Sequence, residues 1–164
     1  MSKRDDKEDF LKVIEQNRAT LTRLCLMFSR RRSDDMRDLY QEMVCKLWEA
    51  WPTYQKRSSI GTWLYRVALN VALEEHRQRK RSIVLVELEA EQWEALAEEA
   101  AESWGGLYEV ADRLSADEKA LLRLYLDKVK LREIAEILGT TEGAVKQRIM
   151  RMKQHLIGLY NKKQ

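Results

Sequence analysis

Apolar residues recur along most of the chain at the spacing of amphipathic helices. The first stripe advances in steps of three and four residues through Phe10, Ile14, Asn17, Leu21, Leu24 and Phe28. This spacing puts all six side chains on one face, so it predicts a single helix that ends before the charged run at residues 30–33.

Two further stripes predict a second and a third helix. The second has Ser33 as its candidate N-cap and Asp34 and Asp35 in its first turn. Pro52 ends it, because the residue before a proline avoids helical geometry. Its inward positions are Met36, Leu39, Met43, Leu47 and Trp51. After a polar loop the third helix begins near Thr62, with one apolar face formed by Leu64, Val67, Ala68 and Val71.

The segment after the third helix differs in composition, and we interpret residues 83–106 as a linker. Residues 83–112 contain nine Asp and Glu and no Lys or Arg. Residues 83–88 could be a short extended piece, and residues 89–101 could be a helix, since Ala and Glu favour one. Gly105 and Gly106 predict a break. A short helix is then expected, with Leu107, Val110, Ala111 and Leu114 inside.

The most specific local pattern lies near the C-terminus. Ser115 and Glu118 have the spacing of a capping box, and the helix they open presents Leu121, Leu124 and Tyr125. Ala135, Gly139 and Val145 then supply the small residue, the turn glycine and the β-branched core residue of a helix-turn-helix.

The second helix of this motif has an inner and an outer face. Thr141 can cap it, and its inward positions are Val145, Ile149, Met152 and Leu156. Its exposed polar positions are Lys146, Gln147, Arg148, Arg151 and Lys153. Cations and an amide at a helix N-terminus are groups that read a DNA major groove. The alternative is a plain helical hairpin with a basic outer face.

Composition favours an all-α protein and excludes several other classes. The chain of 164 residues has 1 Pro and 6 Gly, 35% of its residues are charged, and no apolar run approaches the roughly 20 residues of a membrane span. The charged N-terminus does not resemble a secretory signal. Cys25 and Cys45 lie on apolar faces and form no metal motif. We therefore expect a reduced, cytoplasmic protein without membrane insertion.

Charge is divided into blocks. Residues 1–82 carry 18 Lys and Arg against 12 Asp and Glu, and residues 113–164 carry 12 against 6. Two basic blocks thus flank the acidic segment. Basic surfaces suit a polyanion such as nucleic acid, although solvated helix faces of uneven composition would give the same numbers.

A stripe on the third helix suggests a platform for a nucleic-acid base. Trp63, Arg66, Asn70 and Arg77 follow one another at steps of three, four and seven residues. An aromatic ring, an amide and two guanidinium groups make an unusual core but can stack and hold an extruded base and its phosphates. The alternative is ordinary core packing of the aromatic residues.

Three segments together resemble a known family. Residues 38–51 (DLYQEMVCKLWEAW) and 61–72 (GTWLYRVALNVA) resemble region 2 of bacterial RNA polymerase sigma factors, and residues 131–151 (LREIAEILGTTEGAVKQRIMR) resemble region 4. Two such domains joined by a short linker are the layout of the extracytoplasmic-function (ECF) group. The resemblance implies two small helical domains, at 1–82 and 107–164, joined by an acidic linker at 83–106.

The resemblance also implies site residues and partners. The helix that docks on the β′ clamp of core RNA polymerase would use Asp38, Gln41, Glu42, Lys46 and Glu49. The loop at residues 54–61 would hold a flipped −10 base, with Lys56, Arg57, Ser58 and Ser59 as contact residues beside Trp63, Arg66, Asn70 and Arg77. The −35 recognition helix would use Thr141, Lys146, Gln147, Arg148, Arg151 and Lys153. Partners would be core polymerase (β′ clamp and β flap), promoter DNA and an anti-sigma factor.

The function implied is promoter recognition and melting of the −10 element, with the chemistry left to core polymerase. We therefore expect no enzyme activity, small-molecule substrate, cofactor or metal. His76 and His155 have no acid or cysteine at ligand spacing in the sequence. The alternatives are a helix-turn-helix regulator that acts without core polymerase, and an adaptor that uses the same helices only for protein contacts.

Overall fold

The computed structural model of the chain describes residues 3–29, 32–78 and 90–163. Within these ranges most residues are helical and no strand occurs, so the predicted all-α fold is confirmed. The α-helices are α1 (Lys3–Gln16), α2 (Arg18–Phe28), α3 (Ser33–Ala50), α4 (Ile60–Gln78), α5 (Ala90–Ala111), α6 (Ala116–Leu126), α7 (Leu131–Leu138) and α8 (Glu142–Lys163). A 3-10 turn at Trp51–Thr53 follows α3.

The first apolar stripe is divided between two helices, so the prediction of one continuous helix is wrong. The chain leaves helical geometry at Asn17, whose φ is −109° and ψ is 13°. The Asn17 side chain donates from Nδ2 to the Val13 carbonyl at 2.8 Å, a local bond that competes with the helix. The stripe still faces inward, because Phe10 and Ile14 of α1 and Leu21 and Leu24 of α2 are buried.

Helices α2, α3 and α4 pack together around the main part of the core. Their fully buried side chains include Leu21, Leu24, Met36, Met43, Leu47, Leu64 and Leu69. Arg32, not Ser33, is the N-cap residue of α3, but Asp34 and Asp35 lie in its first turn as predicted. α4 begins at Ile60, two residues before the predicted Thr62.

Helix α5 runs without interruption through Gly105 and Gly106, so the predicted break is wrong. Glycine inside a helix costs roughly 1 kcal/mol relative to alanine, which tertiary packing can offset. That packing is visible at Trp93, which is 0% exposed and meets Tyr40 of α3 edge to face, with ring centroids 5.5 Å apart. Residues 90–106 of the predicted linker are therefore helical. The predicted extended piece at 83–88 lies outside the described residues.

Helices α6, α7 and α8 form the predicted helix-turn-helix part. The Ser115 hydroxyl accepts from the Glu118 backbone N–H at 3.2 Å, and the Glu118 carboxylate accepts from the Ser115 N–H at 2.9 Å, which confirms the capping box. Gly139 has a φ of +66° and ends α7 in the left-handed conformation that glycine adopts without strain. Ala135 and Val145 are buried in the shared core, as the spacing predicted.

A buried ionic cluster joins the helix-turn-helix part to the first three-helix core. Asp127, at the end of α6, accepts on Oδ1 from Arg23 Nε and from Arg123 Nη2, each at 2.8 Å. Its Oδ2 accepts from the Tyr65 hydroxyl at 2.9 Å. Arg23 lies on α2 and Tyr65 on α4, so one carboxylate holds three helices. We call these four residues the Asp127 junction.

Candidate nucleic-acid interface

The outer face of α8 presents the predicted contact residues to solvent. These residues, all exposed, are Lys146, Gln147, Arg148, Arg151 and Lys153. Thr141 caps the helix as predicted, since its hydroxyl accepts from the Ala144 backbone N–H at 3.2 Å. The ammonium of Lys153 lies 4.4 Å from the centre of the Tyr125 ring, a cation–π contact that holds one of these cations against α6.

The α8 cations and the α4 stripe face the same cleft. Asn70 of α4 and Arg148 and Arg151 of α8 line one cavity of about 530 Å³, with Leu69, Ile137 and Leu138 among its apolar walls. The fold therefore brings together residues that the sequence assigned to two different DNA elements. Arg77 was assigned to the same stripe, and its side chain lies outside the described part of the structure.

Trp63 belongs to an aromatic cluster at the start of α4. Its ring centroid lies 6.1 Å from that of Trp51 and 5.1 Å from that of Tyr54. Trp63 is half-buried and packs against the core. The core-packing interpretation therefore describes part of this ring, and its use as a platform for a base stays a prediction.

Arg66 lies one turn beyond Trp63 and is half-buried. Its Nε is shielded from solvent and has no hydrogen-bond partner among the described residues. A buried donor without a partner carries a free-energy cost that an incoming acceptor can remove. Arg66 therefore carries an unmet hydrogen-bonding group on this part of α4.

The loop between the 3-10 turn and α4 is held by its own side chains. The Tyr54 hydroxyl donates to the Ser58 carbonyl at 2.8 Å. The Ser59 hydroxyl accepts from the Thr62 backbone N–H at 3.2 Å and bonds the Thr62 hydroxyl at 2.9 Å. The sequence analysis assigned the loop at residues 54–61 to this site and named Lys56, Arg57, Ser58 and Ser59 as its contact residues, but it did not predict the bond from Tyr54 to Ser58. The signal available in the sequence was the position of Tyr54 between Trp51 and Trp63, which suggests an aromatic cluster at this loop.

The outer face of α3 carries most of the residues assigned to polymerase docking. Lys46 and Glu49 are exposed and paired at 3.1 Å, and Asp38 and Glu42 are half-exposed. Gln41 is 7% exposed, so little of its side chain is available to a partner in this structure. Its assignment to the docking surface stays a prediction.

The α3 face continues onto α4 through residues that the sequence analysis missed. Burial raises the pKa of Glu75, and so do the nearby carboxylates of Glu42, Asp38 and Glu74. Like charges lower the stability of each ionised form when they lie close together. The combined α3–α4 surface is therefore strongly acidic, with Lys46 inside it.

The remaining titratable residues serve the fold. His155 Nδ1 lies 2.8 Å from Glu118 Oε1, a pairing with an acid that the sequence did not predict. Burial raises the pKa of the Cys25 thiol, and Cys45 is only partly buried, less than expected.

No three His, Cys, Asp or Glu side chains in the described residues are grouped as metal ligands. No described helix combines the length and apolar character needed to cross a bilayer.

Two family models match the chain in succession. Residues 13–82 match sigma-70 region 2, and residues 105–156 match sigma-70 region 4. RNA polymerase sigma factor SigV of Bacillus subtilis is 29% identical over 119 residues, which cover 72% of this chain and 71% of SigV. The ECF RNA polymerase sigma-E factor of Escherichia coli K12 is 29% identical over 140 residues, with 74% and 72% covered.

Two solved structures share the fold over nearly the whole chain. CnrH in complex with the cytosolic domain of CnrY has a TM-score of 0.69 at 19% identity and covers 96% of this chain and 91% of its own. The sigma factor RpoE in complex with the anti-sigma factor NepR from Bartonella quintana has a TM-score of 0.66 at 20% identity, with 96% and 97% covered.

Proposed function

The chain belongs to the ECF group of bacterial RNA polymerase sigma factors, and we propose how its surfaces divide the work of such a factor. A sigma factor directs core RNA polymerase to promoters and helps to open the −10 element. The observation that carries this function is the succession of region 2 and region 4 matches along one chain. Core polymerase supplies the chemistry of RNA synthesis.

We assign the −35 element to α8. Its N-terminal half projects an amide and several cations from a rigid helix capped by Thr141, and such a helix fits a major groove. Gln147 and Arg148 lie in the N-terminal half of α8 and carry side chains that can make two hydrogen bonds to one base edge, so they are the candidates for base contacts. Lys146, Arg151 and Lys153 are the candidates for phosphate contacts, which add affinity but little sequence selectivity.

We assign one separated strand of the −10 element to the loop and to α4. The loop residues are Lys56, Arg57, Ser58 and Ser59, and the α4 residues are Trp63, Arg66, Asn70 and Arg77. Trp63, which is only half-buried, is the candidate for stacking, and the guanidinium of the half-buried Arg66 is the candidate donor. Stacking on an aromatic ring recovers part of the cost of unstacking a base from the duplex.

We assign polymerase docking to the acidic surface of α3, through Asp38, Glu42, Lys46 and Glu49. The exposed and half-exposed positions recur at steps of four, four and three residues and so lie along one side of the helix. Residues 107–164 would contact the β flap. The segment at 83–106 would run along the polymerase channels, where its negative charge suits a path built for nucleic acid.

We also propose that an anti-sigma factor regulates the chain in the cytoplasm. RpoE, whose fold the chain shares, was solved with an anti-sigma factor bound. Affinity for promoter DNA should be low without polymerase, because the polymerase fixes the distance between the two contacts and so raises the effective concentration of the second.

The test is a footprint on a promoter library with purified chain and core polymerase, compared with the chain alone. Protection of −35 and −10 together, only when core is present, supports the assignment. Tight binding to a palindromic duplex without core would support the helix-turn-helix regulator instead. Polymerase binding with no sequence preference would support the adaptor.

A further inference from the structure

We propose that Tyr54 is a positioning residue that fixes the shape of residues 55–58 before the loop meets a promoter strand. The proposal rests on the assignment of this loop to the −10 element and adds a role for a residue outside that set. Tyr54 does not need to touch DNA in this role. It acts through the backbone of Ser58.

The ring of Tyr54 is fixed by its neighbours. It stacks on Trp51 with a centroid separation of 6.4 Å and an interplanar angle of 25°. It also packs against Trp63 at 5.1 Å, and the two tryptophan rings contact each other at 6.1 Å, so the three rings form one cluster. Trp51 in turn meets Phe10 of α1 edge to face at 5.5 Å, so the aromatic cluster is anchored in the core. The tyrosine ring therefore has little rotational freedom.

The hydroxyl of this fixed ring closes the loop. Its bond of 2.8 Å to the Ser58 carbonyl spans four residues, and the Ser59 hydroxyl caps the start of α4 immediately afterwards. Both ends of the segment are thus tied, and Gln55, Lys56 and Arg57 are left exposed between them. Those three side chains form the tip of the loop.

The backbone at the tip supports the same interpretation. Lys56 has a φ of +56°, a left-handed conformation that is unfavourable for a residue with a side chain. Such a conformation persists where the surroundings hold it in place. Among the described contacts, the Tyr54–Ser58 bond is the one that closes the segment containing Lys56.

A loop with its shape already fixed binds a flexible strand more readily than a loop that must be ordered on binding. Ordering side chains and backbone on association costs free energy that the contact has to offset. Loss of the hydroxyl should therefore weaken strand capture while the aromatic packing, the polymerase surface and α8 stay intact.

The test compares the wild-type chain with Tyr54→Phe, each bound to core polymerase. Tyr54→Phe keeps the ring and removes the hydrogen bond. We expect the rate of promoter opening, followed by permanganate reactivity of −10 thymines, to fall about 3- to 10-fold, which corresponds to one ordinary hydrogen bond. We expect the same defect on a promoter with a pre-melted −10 region, because capture of the strand itself is impaired.

Two controls separate positioning from general damage. Gln16→Ala removes a polar side chain from an exposed position of α1, outside every surface assigned above, and should leave opening unchanged. The −35 footprint, the affinity for core and the melting temperature of Tyr54→Phe should match the wild type. A lowered melting temperature together with a weaker −35 footprint would make Tyr54 a structural residue and overturn the proposal.

The outcome also distinguishes this inference from the proposed function. If Tyr54→Phe opens promoters at the wild-type rate while Trp63→Ala does not, the positioning role is wrong and the −10 assignment stands. If neither change affects opening, the loop and α4 do not capture the strand, and both statements fail.

Discussion

The two candidate DNA surfaces differ in what holds their contact residues in place. On α8 the side chains are exposed, and the helix is positioned by Gly139, the Thr141 cap and a core that includes Val145. On the loop and α4 the contact residues merge with an aromatic cluster, and Trp63 both packs and faces solvent. Recognition and stability are separable on α8, whereas on the loop and α4 the same rings serve both.

The largest expected effect concerns the junction that joins these two regions. Asp127→Ala removes the carboxylate that three donors share, and the Asp127 side chain is 7% exposed. Leaving the buried Arg123 without its partner should lower the free energy of unfolding by about 3–5 kcal/mol, whereas Arg23, whose side chain is 40% exposed, should add little.

Urea unfolding measures this loss, and Glu136→Ala, which breaks an exposed pair on α7, should cost about 1 kcal/mol or less. If Asp127→Ala lowers the free energy of unfolding no more than Glu136→Ala does, the two regions are held together by apolar packing alone.

Trp63→Ala tests whether recognition and stability are coupled in the loop and α4. The holoenzyme should form a closed complex but lose about 1–3 kcal/mol in strand capture, the value of one stacked base, with a lower melting temperature as well. Permanganate footprinting measures strand capture, and thermal unfolding measures the melting temperature. A loss in opening with unchanged melting would mean that the coupling argued above is absent.

Arg148→Ala tests the opposite property of α8. Because the side chain is exposed, the melting temperature should not change. Promoter affinity should fall by about 1–3 kcal/mol at one base position if Arg148 contacts a guanine, as binding to single-base variants of the −35 element will reveal. An equal loss on every sequence assigns Arg148 to a phosphate. Arg132→Ala on α7, also exposed, is the control.

Two glycines provide a matched pair on the helix-turn-helix. Gly139→Ala should lower the free energy of unfolding by about 1–2 kcal/mol, because its φ of +66° is unfavourable for alanine although no atom lies within 4 Å of the added carbon. Gly143→Ala lies inside α8 with equal space and should raise it by roughly 0.5–1 kcal/mol. Thermal unfolding shows whether each substitution raises or lowers the stability. If both change it in the same direction, the turn geometry assigned to Gly139 is contradicted.

The smallest effect depends on pH. Burial opposes ionisation of Glu118, but hydrogen bonds from Ser115 and His155 outweigh it and lower the pKa of Glu118 from 4.5. A lowered pKa adds stability at pH values above the pKa that the group has in the unfolded chain. This stability is lost as the pH falls through the pKa that the group has in the folded chain. Glu118→Gln should therefore cost about 1 kcal/mol near pH 7 and almost nothing below the folded pKa. Stability curves of both chains against pH provide the test.

Local signals explain most of what the sequence predicted correctly. The capping box, the turn at Gly139 and the exposed face of α8 each depend on residues within a few positions of one another. The errors come from contacts between distant residues. Burial of Trp93 against Tyr40 accompanies a helix that continues through two glycines, and the bond from Tyr54 to Ser58 accompanies a cluster of three rings with Trp51 and Trp63. The burial of Gln41 on α3 could not be predicted from charge alone.

The shared cleft between α4 and α8 limits what this arrangement can do on DNA. Elements centred at −35 and −10 lie about 25 base pairs apart, or roughly 85 Å along a duplex at about 3.4 Å per base pair. Asn70 and Arg148, assigned to different elements, line one cavity. If both assignments hold, a single chain cannot span that distance while the cleft is closed, and promoter engagement would require its two halves to separate. The fraction of separated molecules then scales the apparent affinity for a promoter, and any change that weakens the Asp127 junction raises that fraction.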